Sequence, residues 1–131
     1  MNLAVWTPRI LSVLRIMTGL LFLEHGTGKL LGFPSSDHTA SSLFSLIGLQ
    51  GVLELAGGLL ILLGLFTRPV AFVLAGDMAV AYFMAHAPRS FYPTVNDGQL
   101  AILFCFVFLY LAFAGGGEWS VDEEIARSRS R

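Results

Sequence analysis

Four apolar stretches, Ile10 to Phe33, Ile47 to Phe66, Pro69 to Ala87 and Gly98 to Gly117, take up most of a chain of 131 residues. Each approaches the ~20 residues that a helix needs to cross ~30 Å of hydrocarbon. Lipid offers the backbone no hydrogen-bond partners, so an apolar segment of this length must satisfy its own N–H and C=O groups as a helix. The expected fold is all-α: an integral membrane four-helix bundle with helices over about 8–33, 47–66, 69–87 and 98–117 and a polar tail over 118–131. Charged residues supply only 13% of the chain and hydrophobic ones 55%, against ~25% charged in soluble domains. That leaves one membrane domain and no separate soluble catalytic module.

The connections support the same division. Pro8 suits a first helical turn, where its missing N–H leaves nothing unpaired. The segment 34–46 is rich in serine and reads as a polar loop, Thr67-Arg68 is a tight hairpin link, and Pro88 to Asp97 separates the last two apolar runs. Gly115-Gly116-Gly117 then releases the tail, which is expected to fray at its arginine-serine end. Arg9, Arg68, Arg127, Arg129 and Arg131 fall on one side of such a bundle and only Lys29 and Arg89 near the other. The positive-inside rule therefore places both termini in the cytoplasm, N-in and C-in, with Trp6 and Trp119 at the same interface. A net charge of −1 leaves no basic stripe for nucleic acid. Cys105, a single cysteine, rules out an internal disulfide and reads as a small buried apolar side chain.

Ionisable side chains at membrane depth are costly and usually face a partner or water. Here they are Arg15, Glu24, His25, Lys29, Glu54, Asp77 and His86. At 1.5 Å rise per residue, Arg15 and Asp77 both lie ~10 to 12 Å from the inner edge, which makes them a candidate structural ion pair. Glu54 falls at ~18 Å, with Glu24, His25, Lys29 and His86 at ~24 to 32 Å. The helical period puts Arg15, Thr18, Phe22, His25 and Lys29 on one face of the first helix. Gln50, Glu54, Gly57, Ile61 and Gly64 share a face of the second, and the two faces are expected to meet. A structural explanation competes at each position: a buried ion pair can serve only to set helix register, and the outermost groups can reach water by snorkelling. No H-x-x-x-H or E-x-x-H pair stands on a helix, so the expected metal set is none.

The order of these residues resembles the DoxX family of small four-helix membrane proteins. The resemblance rests on Arg15 with Gly19, Gly26 with Lys29-Leu30, Glu54 with Gly57-Gly58, and Gly64-Leu65-Phe66-Thr67-Arg68. It continues through Met78, Ala81 and His86 to Asn96-Asp97-Gly98-Gln99 and Ser120-Val121-Asp122. Arg15, Lys29, Glu54 and His86 match the family's characteristic polar positions, whereas Gln99 stands where the family usually has glutamate. The resemblance implies a multi-pass protein of the bacterial inner (plasma) membrane. It also implies a link to redox work, as in a subunit of a thiosulfate:quinone oxidoreductase.

Three functions are compatible with these residues. The first is a redox-associated subunit that binds a quinone-like molecule or small oxidant within the bundle, with Arg15, His25, Lys29, Glu54, His86 and Gln99 as candidate ligand-binding residues. No redox cofactor motif is evident and no catalytic motif suffices alone, so electrons would come from a partner subunit or a diffusible donor. The second is a non-catalytic scaffold or assembly factor, alone or as a homo-oligomer in the bilayer. The third is a solute or proton carrier, for which four helices without an inverted repeat offer little room. The orientation is directly testable: a reporter fused after Arg131 should behave as cytoplasmic and one inserted near Ser41 as external, and a periplasmic C-terminal signal would overturn it.

Overall fold

The computed structural model describes residues 1–35 and 37–131, and among these all the regular secondary structure is helical. Ser36, part of the expected polar loop, lies outside the described residues. A 3₁₀ turn, Leu3–Trp6, leads into α1 (Thr7–Leu31), followed by α2 (Leu46–Leu63) and α3 (Thr67–Ala81). A π-helical turn, Tyr82–His86, extends α3. A short α4 (Pro93–Asn96) precedes α5 (Gln99–Ala114), and α6 (Val121–Arg129) ends the chain. Three segments have the length and hydropathy to span a membrane: Leu3–Leu31, Leu46–Leu63 and Thr67–His86. The fourth expected span is the shorter apolar helix α5.

The helix ends are set by local chemistry. Gly32 and Gly64 close α1 and α2 in the left-handed conformation (φ 67° and 71°), which glycine adopts without a Cβ clash. This stops both helices two or three residues short of the expected apolar limits. The Ser45 hydroxyl accepts from the Gly48 N–H and starts α2. The loop after α1 folds back on it, with the Ala40 N–H donating to the Lys29 carbonyl at 2.7 Å.

Packing joins α1 to α2 and α3 to α5 as two antiparallel pairs. Between α1 and α2 the contact is backbone on backbone. A Cβ added at Gly19 would stand 2.7 Å from the Leu62 nitrogen, one at Gly26 2.6 Å from the Leu55 nitrogen, and one at Gly58 2.9 Å from the Leu23 nitrogen. Small residues at such spacing let membrane helices gain dispersion energy that lipid-facing leucines cannot supply. The pairs are joined by Phe22 of α1, whose ring meets Phe104 and Phe108 of α5 at 5.4 and 4.8 Å, and by Leu74 of α3 over Gly57 of α2. Ile61, Ala71, Met78 and Leu111 complete this core.

The tail departs most from expectation. Within residues 118–131, α6 forms a capped helix rather than a frayed end: the Ser120 hydroxyl accepts from the Glu123 N–H, with acids in the first turn and arginines in the last. Ser120-x-x-Glu123 is a capping-box pattern that marks a helix start in the sequence itself.

Because the α1–α2 seam is backbone-limited, Gly26→Val should lower the stability of the protein by ~1 to 3 kcal/mol or more, measured by thermal unfolding in detergent. Gly76→Ala, where a Cβ would meet nothing within 4 Å, should be near neutral. Equal loss at both positions would rule out the close seam as the cause.

Candidate functional site

At the loop end of the α1–α2 seam, Lys29 reaches across to α2. Its Nζ donates to Glu54 Oε1 at 2.7 Å and to Gln50 Oε1 at 2.9 Å. The amide of Gln50 in turn lies 3.5 Å from Asp77 Oδ1 on α3, so three helices contribute to one network. A helical spacing and a glycine make this possible: Gln50 and Glu54 are four residues apart and share a face, and Gly51 gives the Lys29 stem room beside them. Glu54 is 1% exposed, Asp77 is half-buried, and the Lys29 side chain retains 14% exposure. One ammonium faces two carboxyl groups. Among the described residues no donor reaches Glu54 Oε2 or Asp77 Oδ2, although both atoms are buried. His25 lies at the rim, exposed, with its ring edge-on to Phe104 at 5.8 Å.

Arg15 occupies a different place. The candidate ion pair with Asp77 does not form: the guanidinium is fully buried at the end where the chain's termini meet, and its partners are backbone carbonyls. Nε donates to Gly116 at 2.8 Å, Nη1 to Ile61 at 2.8 Å and Leu62 at 2.5 Å, and Nη2 to Trp119 at 2.6 Å. Ile61 and Leu62 are in the last turn of α2, where carbonyls run out of regular helical partners, the Ile61 carbonyl accepting otherwise from the capping Gly64 N–H, and a cation also meets the negative end of the helix dipole. Depth arithmetic compares side chains and is blind to such backbone acceptors, which is why it favoured Asp77. Ser12 completes the locus by accepting from the Trp119 N–H at 2.9 Å.

His86 and Gln99 join neither group. The π turn places His86 Nδ1 2.9 Å from the Asn96 carbonyl, and its ring stacks on Tyr82. Asn96, fully buried, donates to the Tyr82 hydroxyl at 3.2 Å and to the Ser90 carbonyl at 2.9 Å, and it accepts from the Gly98 N–H at 2.8 Å. This cluster fixes the turn into α5, and Gln99 is exposed in the first turn of that helix. The six candidate residues therefore fall into three places, and those that share a neighbourhood are His25, Lys29 and Glu54. Gln50 is the member that sequence reasoning placed on the right face but left out of the site. Its signal was the four-residue spacing from Glu54.

A cleft of about 730 Å³ opens at the terminal end, between the start of α3 and the tail. Its charged walls are already engaged. Asp122 accepts from the Phe66 and Thr67 N–H groups at 2.8 Å each, Glu118 pairs with Arg9, and Glu123 with Arg127. Among the described residues the cleft holds one unmet buried polar atom, the Thr67 hydroxyl, whereas the Lys29 network holds two unmet carboxylate oxygens beside a cation and is the better candidate for chemistry.

Removing one partner of the buried Lys29–Glu54 pair should be costly. Glu54→Leu should destabilise by ~3 to 5 kcal/mol by stranding the ammonium, and Glu54→Gln, which keeps an acceptor, should cost less. A double-mutant cycle with Lys29→Met in thermal unfolding should show strong coupling, and additive losses would mean that the pair does not act as a unit.

The DoxX family profile matches residues 10–87, from α1 through the π turn. A Haemophilus influenzae protein, itself described as uncharacterized, is 39% identical over 128 residues, covering 94% of this chain and 96% of its own. The Escherichia coli inner membrane protein YqjF is 31% identical over 115 residues, 84% of this chain and 87% of its own. The Mycobacterium tuberculosis uncharacterized membrane protein Rv3486 is 27% identical over 139 residues, 92% of this chain and 83% of its own. No solved structure matches. With its apolar helices and this degree of similarity along nearly the whole chain, the protein is a membrane protein of the DoxX family.

Proposed function

We propose that the protein is a bacterial inner-membrane subunit, spanning four times with both termini inside, that binds a small quinone-type ligand at the Lys29–Gln50–Glu54–Asp77 network. The observation that carries this reading is a pair of buried carboxylate oxygens, Glu54 Oε2 and Asp77 Oδ2, that no donor among the described residues reaches, beside a single lysine. Buried polar groups are normally satisfied, and exceptions concentrate where a ligand or a proton completes the set. The surroundings suit an amphiphilic ring: Phe104 stands beside His25 at the rim, and α1 is held to the α3–α5 pair mainly through aromatic contacts rather than the backbone seam that joins it to α2. Lys29 and Glu54 can hold polar atoms of the ligand and exchange a proton with it, with electrons supplied by a redox partner.

Arg15 supports a second reading, a scaffold. Its bonds to four carbonyls present the tail helix α6 at a fixed position beside the bundle, with charged side chains facing outward. Such a helix suits recruitment of a partner chain.

Quinone extracted with protein purified from native membranes, together with calorimetric titration of a short-chain quinone pair into the protein in nanodiscs, separates the two. The ligand reading expects bound quinone in the wild type. It also expects at least tenfold weaker binding in Asp77→Asn with an unchanged thermal midpoint. Neither extracted quinone nor heat of binding would favour the scaffold.

A further inference from the structure

The balance of donors and acceptors in the network determines which form of a ligand it can hold. Lysine has three N–H donors, and two of those on Lys29 are already committed to Glu54 Oε1 and Gln50 Oε1. Gln50 directs its amide toward Asp77 Oδ1. The capacity left over is mainly accepting: Glu54 Oε2 and Asp77 Oδ2 are both buried, and no donor from the described residues reaches them. Glu54 itself is 1% exposed, so water-facing solvation does not make up the difference. A quinone presents two carbonyl oxygens, which only accept. Its reduced form presents two hydroxyls, which donate.

Resting on the ligand reading above, we propose that this site selects the hydroxyl-bearing, reduced form of a quinone-type ring over the oxidised form, with Glu54 and Asp77 as the acceptors that discriminate. Unmet acceptors gain hydrogen bonds from hydroxyl donors and none from carbonyls, so the diol is the form that can satisfy them. The dione brings two further acceptors to a carboxylate pair, with the third Lys29 N–H as the one lysine donor left to serve them. Discrimination of this kind is strong because the penalty falls on buried polar groups left unpaired. Tighter binding of the reduced form also raises the midpoint potential of the bound couple, by ~30 mV for each tenfold preference in a two-electron couple.

The test uses three probes of nearly equal size, titrated anaerobically into the full-length protein in nanodiscs: trimethylhydroquinone, its dimethyl ether and trimethylquinone. The hydroquinone should bind at least tenfold more tightly than the quinone, and the ether, which has lost both donors, should bind no better than the quinone. Glu54→Gln, which puts a donor where an acceptor was, should cut the preference severalfold, and Asp77→Asn should do the same independently. Equal affinity for all three probes would overturn the selectivity and leave the ligand reading standing. A hydroquinone preference shared by the ether would also overturn it, because ring shape rather than hydrogen bonding would then be responsible. Binding of none of the three would remove the ligand reading and this proposal with it.

Discussion

The buried guanidinium of Arg15 is the interaction on which the rest of the assembly depends. An α-helix ending inside a membrane protein leaves carbonyls that neither lipid nor a neighbouring leucine can satisfy. Arg15 answers this for the last turn of α2 at Ile61 and Leu62, and the same group binds Gly116 and Trp119 of the returning chain. One side chain therefore joins α1, the end of α2 and the segment leading to α6. Arginine suits the position because it carries five donors in a planar fork and stays charged when buried. Arg68 has a related role on the other helix pair, donating from the first turn of α3 to the terminal carbonyls of α5 at Ala112 and Phe113.

Around that joint, two kinds of packing divide the molecule. The α1–α2 seam brings backbones together at Gly19, Gly26 and Gly58, which makes it rigid and intolerant of added atoms. The contact from α1 to α5 is aromatic, through Phe22 against Phe104 and Phe108, and rings can shift where backbones cannot. The Lys29 network spans this boundary, with its cation and Glu54 on the rigid seam and Asp77 on the opposing pair. A polar site placed between a fixed wall and a more adjustable one is suited to admitting a ring-shaped ligand.

The tail shows how a polar terminus can be part of the fold. Asp122 accepts from the first N–H groups of α3 and holds Phe66 in a left-handed conformation (φ 51°) that a bulky residue rarely adopts unaided. The Asp122 N–H returns the contact to the Gly64 carbonyl. The turn between α2 and α3 is thus closed by a residue more than fifty positions away, and its strain is offset by hydrogen bonds that exist only in the folded chain.

The apolar runs, their separation by proline and glycine, and the polar positions of α1 and α2 were legible in the amino-acid order, because length, period and hydropathy are local properties of a helix. The facing of Glu54 toward Lys29 was legible too, since both stripes follow from the 3.6-residue repeat. Tertiary structure alone decided the partners of Arg15, the engagement of His86 by the Asn96 carbonyl, and the docking of the tail. The reason is common to all three. Each depends on backbone carbonyls or N–H groups left over at helix ends, and every residue carries the same backbone, so sequence marks neither which of these groups remain unmet nor which side chain will reach them.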